Sequence, residues 1–189
     1  MKKGCISFLA VLLIVGLVAV FVGPSLLNRI LLLYYPKTYT EFVEAKAEEF
    51  ELDENLVYAI IHAESKFDDE AKSHAGATGL MQLTEETFDW INAQYPPDSE
   101  TPDILRPADN IHAGCALLRL LIDQYGDLDT ALAAYNAGMG NVSKWLEDEQ
   151  YSQDGASLDE IPFPETRKYV SRVRRNYRMY EKLYGNTAS

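Results

Sequence analysis

Asp53-Glu54-Asn55-Leu56-Val57-Tyr58-Ala59-Ile60-Ile61-His62-Ala63-Glu64-Ser65 is the stretch on which the reading of this chain turns. Leu56, Val57, Ile60, Ile61 and Ala63 recur at helical spacing and form one apolar face. Asp53 is placed to accept a first-turn N–H as the N-cap. The helix then ends on Glu64. A carboxylate there meets the negative end of the helix dipole, so it does nothing for the helix that carries it. Apolar neighbours, a helix C-terminus and no basic residue three or four positions earlier all disfavour its charged form. A glutamate is ordinarily a solvated surface residue. This one is placed as a proton donor would be.

Working outward, the spacing of apolar residues from Thr40 onward is helical and strand-like alternation is scarce. A first helix is expected over 41–50 with Thr40 as N-cap. Residues 66–79 read as a loop and 80–83 as a short helical turn. Thr84, followed by Glu85 and Glu86, caps a helix reaching Gln94. Pro96, Pro97, Pro102 and Pro107 make the next connection irregular. A long core helix over 108–125 stops at Gly126. Asp129 is expected to cap a helix running to Ala137, halted by Gly138, and a short helix covers 141–146. A polar, acidic loop spans 147–163. The closing helix covers 165–184 between Pro164 and Gly185. The fold class is therefore all-α.

Charge marks a boundary. Residues 1–36 contain no acid and only Lys2, Lys3 and Arg29 as bases, so all 29 acids and 14 of the 17 bases fall in 37–189, a net charge of −15 there. Such a surface is unsuited to nucleic acid, which needs clustered Lys and Arg. The exception is Arg167, Lys168, Arg172, Arg174, Arg175 and Arg178, a basic helix face that is either solvated or in contact with anionic wall polymer or headgroups. Ile6 to Val22 holds 17 residues with only Ser7 polar, and 23–27 extends the run to 22, enough for roughly 30 Å of hydrocarbon. No small-residue cleavage site follows, which favours an uncleaved anchor over a signal peptide. Tyr34, Tyr35 and Tyr39 suit a membrane–water boundary, and Lys2 and Lys3 favour an inside N-terminus. The expected organisation is a transmembrane and interfacial segment over 1–36 followed by a domain over 37–189 outside the cytoplasm. Cys5 and Cys115 lie on opposite sides of the anchor, so no disulfide joins them, and Cys115 reads as a small buried hydrophobe. No C-x-x-C or His cluster calls for a metal, and no cofactor motif is present.

Two further strings carry chemistry. Gly79-Leu80-Met81-Gln82 offers a backbone that a ligand can approach closely at Gly79 and the donor–acceptor amide of Gln82. Alone it reads first as a helix start with Leu80 and Met81 in the core. Ala134-Tyr135-Asn136-Ala137-Gly138 sets a phenol and an amide beside a glycine-stopped helix end, which suits sugar faces and hydroxyls. Alone it is also a buried tyrosine with an asparagine cap.

In order, Glu64-Ser65-Lys66-Phe67, Gly76-Ala77-Thr78-Gly79-Leu80-Met81-Gln82-Leu83, Arg106-Pro107-Ala108-Asp109-Asn110-Ile111 with Gly114, Ala134 to Gly138, and Ile161-Pro162-Phe163-Pro164-Glu165-Thr166-Arg167-Lys168-Tyr169-Val170 resemble the soluble-type (SLT) lytic transglycosylase domain. The resemblance covers roughly residues 40–184. It implies a lysozyme-like helical fold acting on the β-1,4 bond between N-acetylmuramic acid and N-acetylglucosamine in peptidoglycan glycan strands. It implies Glu64 as the sole catalytic acid/base, with the muramic acid's own C6 hydroxyl closing a 1,6-anhydro end. It further implies substrate contacts at Ser65, Ser73, Met81, Gln82, Tyr135, Asn136, Glu165 and Tyr169. Leu117 departs from the family pattern, where a tyrosine is common, at a position that reads as core packing.

Two other functions fit parts of the pattern. A hydrolase of the goose-type lysozyme kind would need Asp68 or Asp69 to position a water near Glu64. A non-catalytic peptidoglycan-binding module of a cell-wall or secretion machine would have no use for Glu64 within its motif. The expected state is a monomer.

Overall fold

The computed structural model describes residues 23–185, and the chain divides into two compact units, residues 1–36 and 37–189. In the first unit the described part is one helix, α1 (Gly23–Tyr34), whose Leu26, Leu27, Ile30 and Leu33 are exposed. The apolar run from Ile6 to Val22 and Cys5 lie outside the described residues. Among the described residues no helix is long and apolar enough to cross a membrane.

In the second unit the regular structure among the described residues is helical, apart from two isolated bridges that join Lys72, Thr78 and Leu83. Its elements are α2 (Thr40–Glu49), α3 (Glu54–Glu64), α4 (Glu85–Gln94), α5 (Pro107–Tyr125), α6 (Leu128–Ala137), α7 (Met139–Leu146) and α8 (Pro164–Tyr184). The helix that opened the reading is α3. Asp53 caps it by accepting from the Asn55 N–H, and Glu64 is its last helical residue. Seven of its eleven residues are buried, because α8 covers it along one side and α2 crosses it on another. α5 is the central helix, with Ile111, Cys115, Leu118 and Leu121 fully enclosed. Leu117 is buried too, so the departure there is a packing choice.

Three local expectations are corrected. Thr40 is the first residue of α2, not its cap; Tyr39 holds the cap position in a left-handed conformation (φ 57°) with no side-chain cap bond. Asp127, not Asp129, caps α6, accepting from the N–H and the hydroxyl of Thr130; Asp129 sits in the first turn, where an acid also favours the dipole. Residues 80–83 are not a helical turn. Thr78 and Leu83 exchange both backbone hydrogen bonds (2.8 and 3.2 Å), so Gly79 to Gln82 form a tight reversal, closed by Gln82 N–H to Gly79 C=O. Gly79 (φ 80°) and Gln82 (φ 48°) both take left-handed backbone, which a helix cannot use.

Candidate active site

Glu64 owes its position to the way α3 stops. Ser65 leaves helical geometry, and Lys66 and Phe67 follow with φ of 55° and 68°, so the chain turns away at once. The Ser65 hydroxyl donates to Leu80 C=O (2.8 Å) and accepts from Phe67 N–H (3.1 Å). The end of α3 is thereby fastened to the 78–83 reversal. Ser65, expected to touch substrate, works here as that fastening.

The reversal is held from two other helices. Asn110, buried on α5, accepts from Met81 N–H (2.8 Å) and donates to Thr78 C=O (3.1 Å) and Ile104 C=O (2.8 Å). Three of the four bonds that a primary amide can make are filled by backbone that would otherwise be buried without partners. Arg106 and Asp109 pair at the start of α5 (2.8 Å), and Asp109 also accepts from Asp103 N–H, which sets the loop that Asn110 reaches. From α6 the Tyr135 hydroxyl donates to Met81 C=O (2.9 Å). The two ends of Met81 are thus gripped by different helices. Its side chain is fully buried against Gly114, where an added Cβ would run into the thioether. Met81, expected to touch substrate, is the buried centre of the reversal.

The other expected site residues divide. Gln82 is half-buried and spends its amide N–H groups on Ala71 C=O (3.1 Å) and Gly79 C=O (3.0 Å), leaving its carbonyl oxygen as the group without a bond among the described residues. Ser73 is exposed, and its hydroxyl accepts from Ala77 N–H (3.0 Å), bracing the loop. Asn136 is exposed beside Tyr135 at the end of α6. Glu165 is exposed in the first turn of α8 and has no hydrogen bond or ion pair among the described residues. Tyr169 is buried on α8.

Electrostatics join three of these groups. Burial pushes the Glu64 carboxyl from 4.5 up to about 7, opposed by the Tyr169 hydroxyl and the Arg172 guanidinium, both of which favour the carboxylate. The Tyr169 hydroxyl faces Glu64 without closing a hydrogen bond in the resting geometry. Tyr135 and Tyr169 are both held well above the usual phenol range, first by burial and then by the nearby Glu64 charge. Glu64, Tyr135 and Tyr169 therefore share one neighbourhood, brought together from α3, α6 and α8.

Asn110 and Arg172 were not singled out by sequence as site residues. Asn110 stands with Asp109 in the Arg106 to Ile111 string, at the buried start of a core helix, and a buried amide has to find partners. That was the available signal. Arg172 had none, because only the packing of α8 on α3 brings it near Glu64.

This arrangement defines a protein class. Residues 41–157 match the family described as the Transglycosylase SLT domain, and the chain belongs to that family. Glu64 to Asn136 lie within the match, whereas Glu165 and Tyr169 lie beyond it. The chain is 34% identical over 143 residues to the soluble lytic murein transglycosylase of Salmonella typhimurium, which covers 74% of this chain and 22% of that protein. It is 34% identical over 111 residues to the membrane-bound lytic murein transglycosylase F of Desulfosudis oleivorans (55% of this chain, 23% of that protein). The 70-kDa soluble lytic transglycosylase of Escherichia coli superposes with a TM-score of 0.70 at 29% identity over 82% of this chain and 26% of its own. The chain thus spans about a quarter of the length of these relatives and shares the fold of their SLT domain.

Proposed function

We propose that this protein is a lytic transglycosylase of peptidoglycan, cutting the β-1,4 bond between N-acetylmuramic acid and N-acetylglucosamine. The observation that carries the reading is Glu64 at the end of α3, a carboxyl that burial pushes up to about 7. When protonated it can donate a proton to the bridging oxygen as the anomeric carbon gains oxocarbenium character. The carboxylate left behind is favoured by the Tyr169 hydroxyl and by Arg172. It then takes the proton of the muramic acid's C6 hydroxyl while that oxygen bonds to the anomeric carbon. A 1,6-anhydro end forms, no water is consumed, and Glu64 is protonated again.

Retaining and inverting glycosidases add a second carboxylate to this chemistry. The groups that act on the Glu64 proton are Tyr169 and Arg172, with no carboxylate among them. Asp68 accepts from Glu70 N–H and Asp69 acts on Tyr39, and neither is among the groups that act on the Glu64 proton. Gln82, Asn136 and the Tyr135 ring are assigned to sugar contacts, with Ser73 at the rim. Mass spectrometry of fragments released from purified walls tests the chemistry. Anhydro-muramoyl ends, lighter by one water than reducing ends, are expected; reducing ends alone would reassign the enzyme as a hydrolase.

The membrane reading is proposed with it. The apolar composition of residues 6–27 and the exposed apolar face of α1 support a single-pass anchor over 1–36, with 37–189 outside the cytoplasm. Cleavage would then be confined to glycan within reach of a short tether.

A further inference from the structure

The cation-rich face of α8 is not explained by glycan cleavage alone. The helix carries seven basic residues against Glu165 and Glu181, in a chain of net charge −12. Arg167, Lys168, Ser171, Arg172 and Arg175 line an open cavity of about 440 Å³, and all five are exposed. Lys168 and Arg172 are four residues apart and Arg172 and Arg175 three, so like charges face one another along the helix, which costs the helix stability. Among the described residues Lys168 and Arg175 have no carboxylate within 4 Å, Arg172 has only that of Glu64 at longer range, and Arg167 has only Glu160 at 3.8 Å. A helix that keeps such a stripe uncompensated leaves its charge for a ligand.

We propose that the Lys168–Arg172–Arg175 face binds the carboxylates of the peptide stem carried by the muramic acid residue being cut, a reading that rests on the lytic function above. Continuity with the site selects this occupant. The Arg172 guanidinium lies over the Tyr169 ring (5.7 Å to its centre), and the Tyr169 hydroxyl faces Glu64. The stripe therefore begins at the carboxyl that protonates the glycosidic oxygen. Arg167 to Arg175 spans about 12 Å of helix, the length of about three to four extended peptide residues. A stem hanging from a sugar at Glu64 reaches such a surface without a second binding event. An anionic membrane is a poorer match, because it would have no relation to Tyr169 and Glu64, against which the stripe starts.

The test compares the full chain in detergent with a Lys168→Gln/Arg175→Gln double variant, which leaves Arg172 in place. The substrates are walls bearing stem peptides and glycan stripped of them by an amidase, and binding of a fluorescent, carboxylate-bearing stem peptide is measured alongside. Losing two exposed charge-assisted contacts is expected to lower kcat/KM on peptide-bearing strands roughly five- to tenfold. Stripped glycan should be cut at an unchanged rate, and peptide binding should weaken in parallel and fall with salt. Equal effects on both substrates, or none on either, would overturn the proposal while leaving the lytic reading intact. If the parent cuts neither substrate yet binds the peptide through these residues, the cleavage reading fails and the peptide surface stands. Salt-sensitive binding to phosphatidylglycerol vesicles, lost in the double variant, with the stem peptide unbound, would reassign the face to lipid and overturn the proposal.

Discussion

On the proposed mechanism, raising the pH through 7 should switch cleavage off, because the reaction starts from protonated Glu64. With the carboxyl titrating near 7, kcat/KM is expected to hold a plateau in mild acid and to fall about tenfold per pH unit above neutrality. At pH 9 roughly 1% of molecules carry the proton, so activity should lie about a hundredfold below the plateau. The same ionisation acts on folding. The folded carboxyl titrates above its ordinary 4.5, so the folded state binds the proton more tightly than the unfolded one. That contribution is complete below pH 4.5 and is lost as pH rises through 7. Between those limits it is worth at most about 3 kcal/mol. Glu64→Gln keeps the neutral form at every pH. It should be inactive, match the parent's stability at pH 4 and exceed it by up to that amount at pH 8 to 9. Removing either group that favours the carboxylate, in Tyr169→Phe or Arg172→Gln, should move the alkaline limb of the activity profile upward. Rates of soluble-fragment release at low wall concentration, with urea unfolding across the same pH series, supply both readouts. A flat profile to pH 9, or a limb that moves downward in Tyr169→Phe, would refute the assignment of Glu64 as the acid.

Asn110→Ala leaves Met81 N–H, Thr78 C=O and Ile104 C=O without their buried partner, so unfolding free energy should drop by about 3 kcal/mol in denaturant titration. Gly114→Ala forces its methyl into the Met81 thioether and should cost about 1–3 kcal/mol, with lytic activity falling as the reversal shifts. Tyr135→Phe orphans the Met81 carbonyl; a loss of about 1–2 kcal/mol in thermal unfolding is expected. Deleting residues 1–36 should release the protein from membranes in fractionation while cleavage of isolated walls continues.

The helices were legible because their signals are local. Asp53, Thr84 and Gly126 delimit α3, α4 and α5 as expected, and the apolar face of α3 led directly to Glu64. The misreadings arose where two local solutions compete. Asp127 and Asp129 can both serve the start of α6, and only the Thr130 geometry decides between them. Leu80 and Met81 have the composition of a helix start, but Thr78 and Leu83 pair across them, a contact no periodicity reveals. The site divides the same way. Glu64 could be found from its awkward helix end and Tyr135 from its motif. Whether Ser65 and Met81 face the sugar or hold the wall depends on partners 15 to 54 residues away in the chain.

The grip on Met81 has a consequence for how this domain tolerates change in length. α3, α5 and α6 each reach the reversal by a single side chain, Ser65, Asn110 and Tyr135, and all three bind backbone atoms within residues 78–81. A side chain added at Gly79 would run into the Asn110 amide itself, and a one-residue insertion would put every bond out of step at once. The segment should therefore tolerate neither a new spacing nor a side chain at Gly79.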